Sequence, residues 1–289
     1  MGLLSFDTID TLDYKESRRY QAKLKKIGLI QFLNLYKKNF EEIKQYPKFS
    51  KFGFEIEGHL LKDINLGNPS LGKNFQLNLD TNYMKNHKLK DFQIVHEFGA
   101  WMLELIPSKP LEDFTYSGNL HHIVQHIYQN MRNLVKKGDY YLSTAMPPKF
   151  GTADYVRYLE PGLTAEQLIE RNKACRSEYM LDEFINQHPR FPTFSRNVRV
   201  RRGEKPPISA PIFHDKYTNM VDVLPGEKKA GEIHLDAFAF GMGLCSLQLT
   251  FGVSDLAEAR WLYDQFHVFG PIFVVLVYIR WHSLPRCLS

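Results

Sequence analysis

The chain has 289 residues, 44% hydrophobic and 24% charged, a balance that excludes a mainly disordered chain and allows one large core or two ordinary ones. Basic residues number 37 against 32 acidic, a formal charge of +5 spread along the chain; this mild surplus favours anionic ligands without indicating nucleic acid. The three cysteines, Cys175, Cys245 and Cys287, lie far apart with no CxxC spacing, which argues against a disulfide framework or zinc knuckle and fits a reducing, cytosolic setting.

The opening MGLLSFDTID lacks the basic and long apolar regions of a secretory signal, and Phe6 stands where a myristoylation motif wants Ser or Thr. From Lys15 to about Lys44, Tyr20, Leu24, Ile27, Phe32, Leu33, Tyr36, Phe40 and Ile43 keep near-helical spacing, with Gly28 expected to break the run into two scaffold helices.

Lys51 to Lys62 reads KFGFEIEGHLLK. Phe52, Phe54, Ile56 and Leu60 alternate with Glu55, Glu57 and His59, the pattern of a half-buried strand with one apolar and one solvated acidic face. Two residues of rise separate Glu55 from Glu57 by roughly 6.6 Å. At an effective dielectric near 20 their repulsion is on the order of 2.5 kcal/mol, and a cation is the natural remedy. Asp63 to Lys90, rich in Asn, Gly and Lys, reads as hairpin and loop.

In HEFGAWMLELIPSKP (His96 to Pro110), Glu97 and Glu104 are seven residues apart, a spacing that on a helix would put both on one solvated face. Pro107, Pro110 and the alternation of Trp101, Leu103 and Leu105 argue instead for a strand after Gly99, with Glu104 pointing away from those apolar side chains. A bend at Gly99 would swing Glu97 to the same side.

Residues 119–137 carry the clearest helix: Leu120, Ile123, Val124, Ile127, Tyr128, Met131, Leu134 and Val135 share one stripe, and Gly138 suits the C′ position. His122 and His126, four apart, have the spacing to share a metal, but with no third ligand nearby the preferred reading is two solvated histidines flanking the stripe. Thr164-Ala-Glu-Gln167 reads as a capping box.

In SRNVRVRRGEKPPISAPIF (Ser195 to Phe213), Val198 and Val200 alternate with Arg199 and Arg201, read as a strand with one basic face. With little aromatic interleaving and no nucleic-acid-binding motif, phosphate binding or internal carboxylate pairing is preferred over nucleic acid. Residues 233–251 read as two strands around a tight turn at Gly241-Met242-Gly243. In the second, Cys245, Leu247, Leu249 and Phe251 oppose a polar row of Ser246, Gln248 and Thr250. Ser254 is expected to cap a helix with Leu256, Ala259, Tyr263 and Phe266 inward, ended by Gly270-Pro271. The apolar run from Pro271 to Ile279 is too short to span a bilayer and reads as a buried element.

The motifs FGFEIEG, HEFGAWMLELIP, INQHPRFPTFSRNVRVRRGEK, PIFHDK and DAFAFGMGLCSLQLTF, with the opening MGLLS and GLIQFLNLYKK, resemble the eukaryotic-type glutamate-cysteine ligase catalytic subunit, also called gamma-glutamylcysteine synthetase. Their order and approximate spacing match from Met1 to about Val274, so residues 1–274 read as the N-terminal part of a ligase catalytic domain and 275–289 as a divergent tail. The resemblance implies an α+β fold, an antiparallel sheet curled into a glutamine synthetase-like funnel with helices outside, incomplete in this shorter chain. It also implies a reaction. ATP phosphorylates the gamma-carboxylate of glutamate, and the amine of cysteine displaces the phosphate to give gamma-glutamylcysteine, the first step of glutathione synthesis. Magnesium offsets the repulsion between carboxylate and triphosphate, and as a hard cation it takes oxygen ligands.

By matching positions, Glu55, Glu57, Glu97 and Glu104 resemble the family's metal ligands, and Gln248 the glutamine beside metals and substrate. Met242 and Cys245 would line the substrate wall, with Cys245 packing rather than reacting. The implied partners are glutamate, cysteine, ATP and a regulatory subunit, with neither nucleic acid nor membrane. The alternative is an inactive fragment acting as a binding or regulatory module. Departures from the family pattern include Phe54 and Gly58, where it has an acidic residue before and an aromatic after the Glu-x-Glu. Leu105-Ile106 replaces Gly-Thr, His96 replaces a proline, and Tyr128 replaces a glutamate.

Overall fold

The computed structural model describes residues 11–45, 51–63, 65, 75–85, 87, 89–112, 120–147, 150–151, 164–211, 216 and 232–283. The opening MGLLS, Cys287, most of PIFHDK and much of the stretch between Asp63 and Lys90 lie outside these residues. The chain divides into two compact units, one of residues 1–25, 54–109 and 119–249, the other of 26–53, 110–118 and 250–289.

Helix α1 (Tyr14–Lys44) runs through Gly28 without the expected break. One interior glycine weakens a helix by only about 1 kcal/mol, too little to stop a run of 31 residues. Strand β1 (Lys51–Asp63) forms as expected and is the hub of a curled antiparallel sheet, a half-barrel in an α+β fold. Within the first unit it pairs with β2 (Phe75–Leu77), β4 (Met102–Pro107) and β6 (Asp139–Leu142), and β3 (Phe92–His96) continues the sheet from β4. A single helical turn, α2 (Asn82–Lys85), lies between β2 and β3 in the chain. Because β1 is 13 residues long, each partner takes a different part of it: β4 faces Ile56 to His59, β6 faces His59 to Lys62, and β2 faces Leu61 to Asp63.

One correction concerns the acidic face of β1, which is not solvated. Residues 56–61 are all buried, with Glu57 only 5% exposed and His59 fully covered. Helix α3 (Leu120–Leu134) buries Ile127 and Met131 as its stripe predicts, while His122 and His126 are exposed. Gly138 adopts φ +90° four residues past the helix, inside the turn closed by Asp139 N–H to the Lys136 carbonyl, rather than at C′.

A core of edge-to-face aromatics lies beneath the sheet: Trp101 against Phe150 and Phe184, and Phe150 against Phe240. The capping box forms reciprocally at the start of α4 (Ala165–Arg171), with Thr164 N–H to Gln167 Oε1 at 2.9 Å and Gln167 N–H to Thr164 Oγ1 at 3.3 Å.

The basic run is a helix, α5 (Arg190–Arg202), rather than a strand. Its V-R-V-R alternation covers four residues, whereas Phe191, Phe194 and Val198 recur at helical spacing. Pro192 is tolerated in the first turn, and Gly203 at φ +91° supplies the left-handed C-terminal cap. Residues 232–252 differ too. β8 (Glu232–Leu235) pairs with β7 (Ile208–Pro211) in a separate sheet, and a helical turn, α6 (Ala239–Met242), replaces the tight turn before β9 (Leu247–Gly252).

In the second unit β5 (Leu111–Glu112) pairs with the first two residues of β1, and Phe52 stacks on Phe251 at 6.3 Å. Helix α7 (Leu256–Ser283) is capped by Asp255, whose Oδ1 accepts the Glu258 N–H at 2.8 Å; Ser254, the expected cap, donates to the Glu258 carboxylate instead. The helix continues through Pro271, which removes one backbone donor and leaves the other bonds of the run. Leu256, Tyr263, Phe266, Ile272, Phe273 and Val274 are exposed, against the expected inward face and buried tail.

Candidate functional site

The sheet register brings carboxylates from separate parts of the sequence together. Glu57 and Glu104 are directly opposed across β1 and β4, so their side chains share a face, and Glu55 joins them two residues along. Glu97 lies in the loop between β3 and β4. That loop is clipped from below: Gly99 bridges Ile185, Asn186 N–H donates to the Phe98 carbonyl, and Asn186 Nδ2 donates to the Glu97 carbonyl. Glu97 Oε2 accepts its neighbour's N–H, from Phe98, at 2.8 Å.

The four side chains therefore face one another. Side-chain hydrogen bonds link Glu104 to Glu55 and to Glu97, and Glu97 also feels the charges of Glu57 and Glu55. Burial, then the Glu97 charge and these hydrogen bonds, push the Glu104 carboxyl up to about 8; burial first, with the neighbouring carboxylates, raises Glu97 as well.

Glu57 is the best anchored of the four. Its Oε2 accepts the Ser246 N–H at 2.8 Å and the Ser246 hydroxyl at 3.0 Å, and its Oε1 accepts the Gln248 amide at 2.8 Å. The Ser143 hydroxyl fixes its backbone carbonyl at 2.7 Å. Gln248 thus stands beside Glu57. Ser246 shows in the sequence only as part of the polar row; the signal for it is its place two residues before Gln248.

His59 is not the cation that the paired glutamates call for. Burial pulls its pKa down to about 4, its Nε2 faces the Thr144 carbonyl at 2.9 Å, and its Nδ1 accepts the Trp101 N–H at 3.1 Å. It is a neutral clamp between β1 and the core. Cys245 Sγ lies 3.4 Å from the same Nδ1, and burial, then the Glu57 and Glu97 charges, push its thiol far up; it remains a thiol and packs. Met242 stands in the α6 turn, 36% exposed.

The donor chemistry is that of a hard cation: four carboxylates, with a glutamine amide and a serine holding one of them in place. Among the described residues no three acidic, histidine or cysteine side chains already surround a metal-sized point. Burial and the neighbouring carboxylates instead raise the pKa of Glu97 and Glu104, which favours their protonated forms while no cation is bound. Among the described residues no helix is long and apolar enough to cross a membrane.

A profile of the glutamate-cysteine ligase family matches residues 2–278. The chain belongs to the glutamate-cysteine ligase family. It is 32% identical over 295 residues to the glutamate-cysteine ligase catalytic subunit of Rattus norvegicus and 32% identical over 292 residues to that of Homo sapiens, covering 96% of this chain and 44% of each relative. It is 29% identical over 303 residues to the glutamate-cysteine ligase of Saccharomyces cerevisiae, covering 94% of this chain and 43% of that protein. This family member thus spans less than half the length of the curated relatives it matches.

Proposed function

We propose that this chain carries the metal-binding half of an ATP-dependent glutamate-cysteine ligase, with Glu55, Glu57, Glu97 and Glu104 as ligands for magnesium. The observation that carries this reading is the convergence of four carboxylates from two strands and a loop into one face, where burial raises the pKa of two of them. Such a cluster is a reservoir of negative charge that a divalent cation relieves. When bound, magnesium offsets the charge of the triphosphate and of the attacking gamma-carboxylate.

The chain's own residues have two tasks. Gln248 and Ser246 hold Glu57 in one orientation, so that its remaining lone pairs face the other carboxylates. The His59–Trp101 clamp fixes β1 at the point where it passes the cluster. Met242 and Cys245 form the adjoining wall against which the amino-acid substrates lie. The reaction is phosphorylation of the glutamate gamma-carboxylate by ATP, followed by attack of the cysteine amine, the entry step to glutathione, in the cytosol. The mammalian relatives are named catalytic subunits, and a regulatory subunit is placed among the partners on that basis.

The test is incubation of the purified, folded chain with Mg-ATP, glutamate and cysteine. Formation of gamma-glutamylcysteine with release of phosphate is expected. Folded protein that yields no product removes catalysis from this chain.

A further inference from the structure

Helix α5 is fastened to the turn that precedes the one-turn helix at Asp182–Phe184: Arg199 Nη2 donates to the Lys173 carbonyl at 3.1 Å and its Nε to the Ala174 carbonyl at 3.4 Å. Arg196 lies one helical turn earlier on the same face. From the facing turn comes Arg176, closed by its N–H to the Asn172 carbonyl at 2.6 Å; among the described residues it is the one non-glycine position with positive φ, +51°. A side chain in that left-handed region raises the backbone energy by roughly 1 kcal/mol.

The charges of Arg176 and Arg196 therefore both reach the Arg199 guanidinium. Burial, then the Arg176 charge and that of Arg196, lower the pKa of Arg199, while Asp182 opposes them. The nearby acids are committed elsewhere. Asp182 accepts the Ala174 N–H at 2.7 Å and the Cys175 N–H at 3.0 Å, and Glu183 pairs with Arg171. Neither Arg176 nor Arg196 makes a side-chain hydrogen bond or ion pair with a described residue. An internal carboxylate partner, one of the two readings of this basic run, is thus not what the described residues supply.

We propose that Arg176, Arg196 and Arg199 form a binding site for the phosphoryl groups of a small ligand, apart from the four-carboxylate cluster. The planar guanidinium fork matches phosphate oxygens two at a time; Arg176 and Arg196 offer such forks, while Arg199, held on the Lys173 and Ala174 carbonyls, adds its charge. The ligand is a polyphosphate chain, either inorganic or carried by a nucleotide.

The test is calorimetric titration of the full chain with inorganic tripolyphosphate and with ATP in EDTA, where four carboxylates without a cation repel an anion. Saturable tripolyphosphate binding is expected, weakened about tenfold or more by Arg196→Gln and by Arg176→Gly. The glycine also relieves the left-handed backbone, so that variant folds. ATP affinity equal to that of tripolyphosphate assigns the site to the bare phosphate chain, and tighter ATP binding assigns it to a nucleotide. The proposal is overturned if wild-type chain fails to bind tripolyphosphate, if the Arg176→Gly/Arg196→Gln double variant binds it unchanged, or if the chain is retained on single-stranded DNA without binding tripolyphosphate.

Discussion

At Gly58 a Cβ would lie 2.3 Å from the Tyr141 ring, so the glycine is dictated by its neighbour. Strand β6 supplies this ring from across the sheet, and Tyr128 packs beside it at 6.0 Å. Two positions far apart in sequence, Gly58 and Tyr128, thus meet on one ring. Gly58→Ala is expected to destabilise the chain by roughly 1–3 kcal/mol through overpacking. In the Tyr141→Ala background most of that penalty should vanish, which a urea-denaturation double-mutant cycle measures; additive effects would refute the coupling. The four glutamates are legible as a set through their motifs, whereas the burial of Glu57 is not. Alternation reveals which side chains share a face, but the cover over that face comes from Ser246 and Gln248, distant in sequence.

Helix α3 is legible because its one apolar stripe meets one core, and β1 because its period-2 alternation persists although both of its faces are covered over residues 56–61. Where pattern and structure part, the cause is a local signal outweighed by a longer one. The V-R-V-R of α5 is too short to outweigh three aromatic and aliphatic positions at helical spacing, and Pro271 signals a stop although a helix of 28 residues loses only one backbone bond there. The apolar spacing of α1 and α7 predicts inward faces, yet Leu24, Phe32, Leu256 and Tyr263 are each 58–64% exposed. Periodicity identifies an apolar face and is silent on what covers it. Pro271→Ala is expected to stabilise α7 by roughly 1–2 kcal/mol, the helix gain less the extra freedom of the unfolded chain, and to raise helicity in circular dichroism. A loss of stability would mean that α7 depends on the proline.

For the molecule as a whole, the raised carboxyls make stability depend on pH in a definite sense. A carboxyl whose pKa is higher in the folded state, as for Glu104 at about 8 against 4.5, contributes stability that is full below 4.5 and lost as pH rises through about 8. His59, lowered from 6.5 to about 4, acts in the opposite direction but only below 6.5. Between 6.5 and about 8 the carboxyls act alone, so the melting temperature of the metal-free chain should fall across that window. Glu104→Gln should flatten the slope, and a wild-type profile that rises or stays level would contradict the assignment. The α+β class with a curled antiparallel sheet is legible through the family resemblance, but the two-unit division is not, since β1 and α1 each pass from one unit to the other without a break in pattern.

The central claim, that four gathered carboxylates hold a divalent cation, is tested most directly by calorimetric titration of the chain with magnesium at pH above 8. Saturable binding is predicted for the wild type, weakened roughly tenfold by Gln248→Ala, which frees Glu57, and lost in Glu97→Gln/Glu104→Gln. Folded wild-type protein that takes up no magnesium, or a double variant that binds it unchanged, would contradict the account.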